Sequence, residues 1–169
     1  MKNNYKSLEK SLGYRFKKTE LLKHALTHPS YRHEVETPKD NQRLEYLGDA
    51  VLDLCCAKYL FDHFPDFQEG ELTKIRSRLT NTQCLAQLGQ QIGLGQYLRL
   101  GKDELNSGGI TRESNLADAM EAIIGAAFLD SGIKAGMKIF NYLYIDLIEQ
   151  LSFDESENPK GSLQELTQK

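Results

Sequence analysis

Glu45 and Asp49 stand four positions apart in "LEYLGDAVLDL", and Asp118 and Glu121 stand three apart in "ADAMEAIIGAAF". In a helix both spacings put the two side chains on one face at neighbouring turns. The first stripe runs on into Leu52 and Cys56, and Ala122 and Gly125 follow the second pair, small enough to let another helix approach closely. If the two helices pack together, four carboxylates converge. Such like charges repel strongly at reduced dielectric unless a divalent cation or protons relieve them. Oxygen donors without histidine or thiolate favour Mg²⁺, with Mn²⁺ as a substitute. The natural chemistry is metal-activated water attacking a phosphodiester. By spacing alone an acidic pair on a helix is more often a solvated face than a catalytic one; the apolar character of both stretches brings the site reading level with it. Asp53, one further turn on, has no matching partner in the second segment and reads as structural.

Three further features carry weaker signals. His28 in "THPS" fits either a base or a capping and packing residue at a helix end. Arg112 in "TRES" precedes a helix start, where it could hold a phosphate or simply pair with an acid. Lys74, Arg76 and Arg78 lie off the Leu72, Ile75, Leu79 stripe and read as a solvated basic face or as phosphate contacts.

These residues need a scaffold, and almost every segment has the 3.6-residue helical period. The fold is expected to be all-α. A short helix is expected around Tyr5, Leu8 and Leu12, then a second capped by Thr19 and ending near His28, before Pro29. The helix of the first acid pair should span roughly residues 41–62, with Leu44, Leu47, Val51 and Leu54 as its apolar stripe. A helix through Leu72, Ile75 and Leu79 should break near Asn81, where "TNTQ" offers caps, and resume through Leu85, Leu88 and Ile92. "GLGQYLRLGKDELNSGGITRES" reads as a surface loop with about one turn of helix. Ser114 or Asn115 should cap the next helix, which ends at "SG". The last helix carries Ile133, Met137, Phe140, Tyr144, Leu147 and Leu151 as its stripe.

Composition agrees with one folded unit. The 169 residues are 40% hydrophobic and 27% charged, too apolar for disorder, and no run approaches the length of a membrane span. The N-terminal "MKNNYKSLEKSLGYRF" has no apolar stretch behind its lysines, so a cytoplasmic location is expected. Three cysteines without zinc-site spacing read as reduced core thiols. A formal net charge of −3 speaks weakly against nucleic acid, although acids gathered in one place and bases in another can give that sum.

"DNQRLEYLGDAVLDL" closely resembles the signature of the ribonuclease III family. "LTHPSY", "FPDFQEGELTKIRSRL", "LRLGKDELNSGG" and "RESNLADAMEAIIGAAFLD" are similar to its companion blocks, in the same order. The resemblance implies a homodimeric, all-α endonuclease domain that cuts double-stranded RNA with Mg²⁺, leaving 5′-phosphate and 3′-hydroxyl ends with short 3′ overhangs. It further implies processing of rRNA precursors and mRNA, with no membrane and no organic cofactor involved. Carried over by position, Glu45, Asp49, Asp118 and Glu121 match metal-binding carboxylates, Asp49 and Glu121 being those usually called catalytic. Tyr46 matches an aromatic that enters a pocket on the partner subunit, and Glu69 an acid near that interface. Gln42 stands where glutamate is frequent and Asn106 where lysine is common before "SGG".

By the same resemblance, residues 1–152 form the catalytic domain. Residues 153–169 look like a linker and the start of a helix, with Ser162 and Glu165 as a capping box, leading toward a double-stranded-RNA-binding domain that does not follow. Two rival classes are a catalytically silent RNA-binding protein on the same fold and a purely structural helical dimerisation module. The former can lose its carboxylates, which are all kept here, and the latter leaves the acids unexplained.

Overall fold

The computed structural model describes residues 5–33 and 39–157, with side chains over 5–32 and 39–148. Eight α-helices are described: α1 Lys6–Ser11, α2 Thr19–Ala25, α3 Gln42–His63, α4 Glu69–Leu79, α5 Thr82–Gln91, α6 Lys102–Asn106, α7 Glu113–Ser131 and α8 Ile133–Glu157. Short 3₁₀ turns occupy Pro29–His33 and Leu94–Tyr97. Among the described residues the sole β feature is an isolated parallel bridge between Thr27 and Arg99. The expected all-α class is what the chain adopts.

α7 is the hub, packed by α2, α3, α5 and α8. Its residues explain this: Leu116, Ala117, Ala119, Met120, Ala122, Ile123, Ile124, Ala126 and Ala127 are all buried, so it is apolar nearly all round. A helix of that kind belongs in the middle of a bundle. Its alanines let neighbours come close, and the closest is α3. A Cβ added at Gly48 would lie 1.8 Å from the carbonyl oxygen of Glu121, and one at Gly125 would lie 2.3 Å from that of Leu44. No side chain larger than hydrogen fits between the two backbones there.

Several boundaries differ from the sequence expectation. Thr19 is the first residue of α2 and not its cap, and α2 ends at Ala25, ahead of His28. Asn81 does cap α5, its Oδ1 accepting from the Cys84 amide at 2.8 Å. α7 starts without a side-chain cap. Asn115 is instead buried and donates to Glu104 Oε1 at 2.7 Å and to the Gly109 carbonyl at 3.0 Å. The stretch 93–112 is therefore a fastened connection and not a free surface loop; Leu94 and Leu100 within it are buried.

Two stripes are also re-phased. In α3 Leu54 is exposed, and Gly48, Leu52, Cys55, Cys56 and Tyr59 join Leu44 and Val51 inside. In α8 the buried positions are Ala135, Ile139, Phe140, Tyr144 and Ile148, while Ile133 faces solvent. α8 continues past residue 152, the expected domain boundary, to Glu157. The side chain of Leu151 and the expected capping box of Ser162 and Glu165 lie outside the described residues, as does the stretch 34–38.

A candidate acidic active site at the helix crossing

The glycine contact that brings α3 and α7 together also brings their acids together. Glu45 and Asp49 flank Gly48 on α3; Glu121 lies one turn before Gly125 on α7, with Asp118 about one turn further back. Glu45, Asp118 and Glu121 are half-buried and Asp49 is exposed at the rim. The carboxylate of none of the four makes a hydrogen bond or ion pair with another described residue.

Their mutual influence is visible in their proton affinities. Burial, then Asp49, Glu45, Asp118 and finally Asp53 push the Glu121 carboxyl up from 4.5 to about 7. Glu45 is raised by burial, Asp118, Asp40 and Asp49. Asp118 is raised by burial, with His28 acting in the opposite direction. Three acids whose charged forms are disfavoured, two of them also by neighbouring acids, form a place where a cation would be stabilised. Among the described residues no group of three or more acids, histidines or cysteines is already drawn to metal-binding spacing. Unpaired hard oxygen donors of this kind nevertheless fit a Mg²⁺-like ion in chemistry and charge.

The remaining candidates distribute unevenly. Asp53 belongs closer to the cluster than its sequence position suggested, since it influences Glu121 and faces Arg76, whose Nε is 3.9 Å from its Oδ1. Arg76 is thus turned toward α3, whereas Lys74 is exposed and Arg78 half-buried. Arg112 realises the bland alternative: its guanidinium meets Glu104 Oε1 at 3.0 Å and donates to Ser107 Oγ at 2.9 Å. That ties the loop before α7 and leaves its fork committed. Lys58 and Asp62 pair on the outer side of α3. Tyr46 is 84% exposed, with Leu54 and Phe61 following it on the same outward side of α3. Gln42 and Glu69 are exposed at or near the N-termini of α3 and α4, and Asn106 ends α6.

Comparison with known proteins agrees with the geometry. A family profile described as Ribonuclease-III-like matches residues 18–147. Ribonuclease 3 of Carboxydothermus hydrogenoformans is 48% identical over 99% of this chain and 73% of its own length. Ribonuclease 3 of a Pseudomonas aeruginosa strain is 46% identical over 99% of this chain and 72% of its own. The nuclease domain of Campylobacter jejuni ribonuclease III superposes with a TM-score of 0.77 at 41% identity, covering 86% of this chain and 97% of that one. Dicer from Pichia stipitis gives 0.62 at 27% identity over 82% of this chain and 59% of that one. The likeness covers sequence, family profile and fold alike, and this chain belongs to the ribonuclease III family, whose nuclease fold it adopts.

Proposed function

We propose that the chain is a Mg²⁺-dependent endoribonuclease that acts on double-stranded RNA as a homodimer and leaves 5′-phosphate and 3′-hydroxyl ends with short 3′ overhangs. The observation that carries this reading is the convergence of Glu45, Asp49, Asp118 and Glu121 at the glycine contact of α3 and α7, with no ion pair to any described lysine or arginine. When bound, a divalent cation would supply Lewis acidity and lower the pKa of a coordinated water. Glu45, Asp118 and Glu121 would hold it, and Asp49 at the rim and Glu121 would orient the attacking water against the phosphodiester. Glu121, poised near neutral pH, is suited to accept a proton there. A cavity of about 890 Å³ along the outer side of α8 is lined by none of the four acids. An acid cluster at an open helix crossing suits a polymer better than a small molecule.

The dimer reading rests on the outward face of α3. Tyr46, Leu54 and Phe61 are all more than half exposed and sit on one side of one helix. A cavity of about 430 Å³ opens beside Phe61, lined also by Ala57, Phe67, Glu69 and Arg76. In the proposed dimer Tyr46 of each subunit fills this cavity on the other, with Glu69 at its edge. A related Campylobacter jejuni nuclease domain, 42% identical, is described as having a flexible region involved in dimer formation. Two acid sites then face one duplex, one per strand, which accounts for a staggered cut. Lys74 and Arg78 are the basic side chains of α4 left for RNA phosphates. Processing of rRNA precursors and mRNA in the cytoplasm, with Mn²⁺ able to replace Mg²⁺, completes the reading. Among the described residues no helix is long and apolar enough to cross a membrane.

The test is direct. A long RNA duplex incubated with the protein and Mg²⁺ should yield short products with two-nucleotide 3′ overhangs, and none with chelator. Glu121→Gln should abolish cleavage while the protein stays folded; near-normal cleavage by that variant would sink the assignment.

A further inference from the structure

Arg99, in the connection between α5 and α6, is held both by its main chain and by its guanidinium. Its amide donates to the Leu26 carbonyl at 2.8 Å, and its carbonyl accepts from the His28 amide at 3.1 Å. Its Cζ stands 4.4 Å from the centroid of the Tyr31 ring, and its Nη1 donates to Thr27 Oγ1 at 3.0 Å. Thr27 is fully buried, and its hydroxyl gives its own proton to the Lys23 carbonyl at 2.7 Å. That hydroxyl has only lone pairs left to offer Arg99, so the guanidinium is fixed in place by a bond of one sense and by the face of a ring.

What the guanidinium lacks is an acid. Lys23 pairs with Glu20, Arg32 with Asp40 and Arg112 with Glu104, but no described carboxylate pairs with Arg99. Of its five N–H donors one goes to Thr27, and the other four have no partner among the described residues. The neighbourhood is positive as well: burial first, then Lys39, with Lys23 and Arg99 behind it, pushes the His24 imidazole down against the pull of Glu20. Lys39 is exposed. Tying the connection to Thr27 needs a single donor, and gathering like charges opposes folding unless an anion relieves them. A guanidinium stacked on a ring, anchored at one nitrogen and open at the rest, has little freedom left to lose when an oxyanion binds.

We propose that Arg99, preset by Tyr31 and Thr27, is a clamp for a backbone phosphate of the RNA, a role that rests on the reading of the substrate as double-stranded RNA. Main-chain bonds tie the clamp to the acid site. The Thr27 carbonyl, beside the Arg99 bonds, accepts from the Asn41 amide at 2.8 Å, and the Asn41 carbonyl accepts from the amides of Leu44 and Glu45 at 2.9 and 2.8 Å. Arg99 is thus joined, through the stretch 26–28 and Asn41, to the turn of α3 that carries Glu45. The planar fork suits two oxygens of one phosphodiester, and such a contact sets register on the duplex without reading its sequence. Lys39 adds attraction at longer range.

Binding of an RNA duplex, measured by fluorescence anisotropy in chelator over a series of KCl concentrations, tests this. Arg99→Gln should weaken binding about 10-fold and make the plot of log Kd against log salt shallower by about 1 for each Arg99 that meets the duplex. Arg99→Lys should keep the wild-type slope and recover only part of the affinity, because lysine is a point charge without the fork or the stack. Thermal melts show whether each variant is folded; should Arg99→Gln not fold, Arg99→Lys decides alone. Weaker binding by Arg99→Gln at an unchanged slope marks a structural tie, and full affinity in Arg99→Lys marks a mere point charge; either overturns the proposal. If the wild type binds no duplex, the RNA reading itself fails and the clamp with it. If the wild type binds and Arg99→Gln matches it in affinity and slope, the RNA reading stands and the role of Arg99 falls.

Discussion

At the scale of single residues, the acid site is a store of unfavourable charge, and Glu121 is its most sensitive reporter. Its carboxyl titrates at about 7 in the fold against an ordinary 4.5. A raised folded value means that the native state holds this proton more tightly than the unfolded chain does. The stabilisation is fully present below about 4.5 and is lost as pH rises through about 7. Because the carboxyl is partly exposed and its interactions are screened by solvent, the metal-free protein should therefore lose on the order of 1 kcal/mol between pH 5 and 8 from this group, with Glu45 and Asp118 shifted in the same sense. Thermal melts in chelator, compared with Glu121→Gln, check this; the difference between the two proteins should grow with pH, and a constant difference refutes it. Adding Mg²⁺ at pH 8 should recover most of the loss in the wild type and little in the variant. The pairing of Glu45 with Asp49 and of Asp118 with Glu121 was readable from their spacing. Asp53 was not, because its relation to Glu121 and Arg76 depends on how α4 lies against α3, and no local pattern encodes that. The commitment of Arg112 to Glu104 and Ser107 is of the same kind, contacts across a loop whose path the sequence leaves open.

The elements explain why these acids meet at all. Gly48 and Gly125 let α3 and α7 touch backbone to backbone, and the acids are carried along on the adjoining turns. Gly48→Ala would drive a Cβ to 1.8 Å from the Glu121 carbonyl oxygen, so the helices must separate. Overpacking of that severity, against backbone and not a movable side chain, should cost about 3 kcal/mol or more. It should also move Glu121 away from Glu45 and Asp49. Gly70, inside α4 with nothing within 4 Å of its missing Cβ, is the control: Gly70→Ala should stabilise by about 0.5–1 kcal/mol. Urea denaturation of both variants distinguishes a helix contact from mere helix propensity, and a mild effect at Gly48 would remove the contact as the organising feature. Helix existence was legible because periodicity survives in α3, α5 and α8. Phase was less legible, since small residues weigh little in a hydrophobic pattern yet decide how close helices come. In α8 Ala135 and Gly136 face inward, a Cβ at Gly136 lying 3.1 Å from Val51 Cγ1, and this turns Ile133 outward. Caps chosen from type alone failed at Thr19 and Asn115 because the latter side chain is used to fasten the loop.

For the whole molecule the decisive question is what covers the outer side of α3. Within one chain Tyr46 has no packing role, being 84% exposed, and a run of large apolar side chains left in water along one helix is the kind of patch that marks an interface. Leu54 and Phe61 extend the same face to the cavity beside Phe67, Glu69 and Arg76. A two-fold arrangement is self-complementary: in the proposed dimer the Tyr46 of each copy would enter the cavity of the other, so one substitution would harm both contacts at once. Tyr46→Asp should therefore leave the melting of the isolated chain nearly unchanged, since surface substitutions are generally within about 0.5 kcal/mol. It should nevertheless convert the protein from dimer to monomer in analytical ultracentrifugation. Duplex cleavage should then shift from paired cuts to single-strand nicks, because a lone acid site meets one strand at a time. A Tyr46→Asp protein that remains dimeric would place the interface elsewhere, and a monomer that still makes paired cuts would separate the double cut from the dimer. Tyr46→Phe, which keeps the ring and loses the hydroxyl, should stay dimeric if filling the cavity is what holds the two copies together.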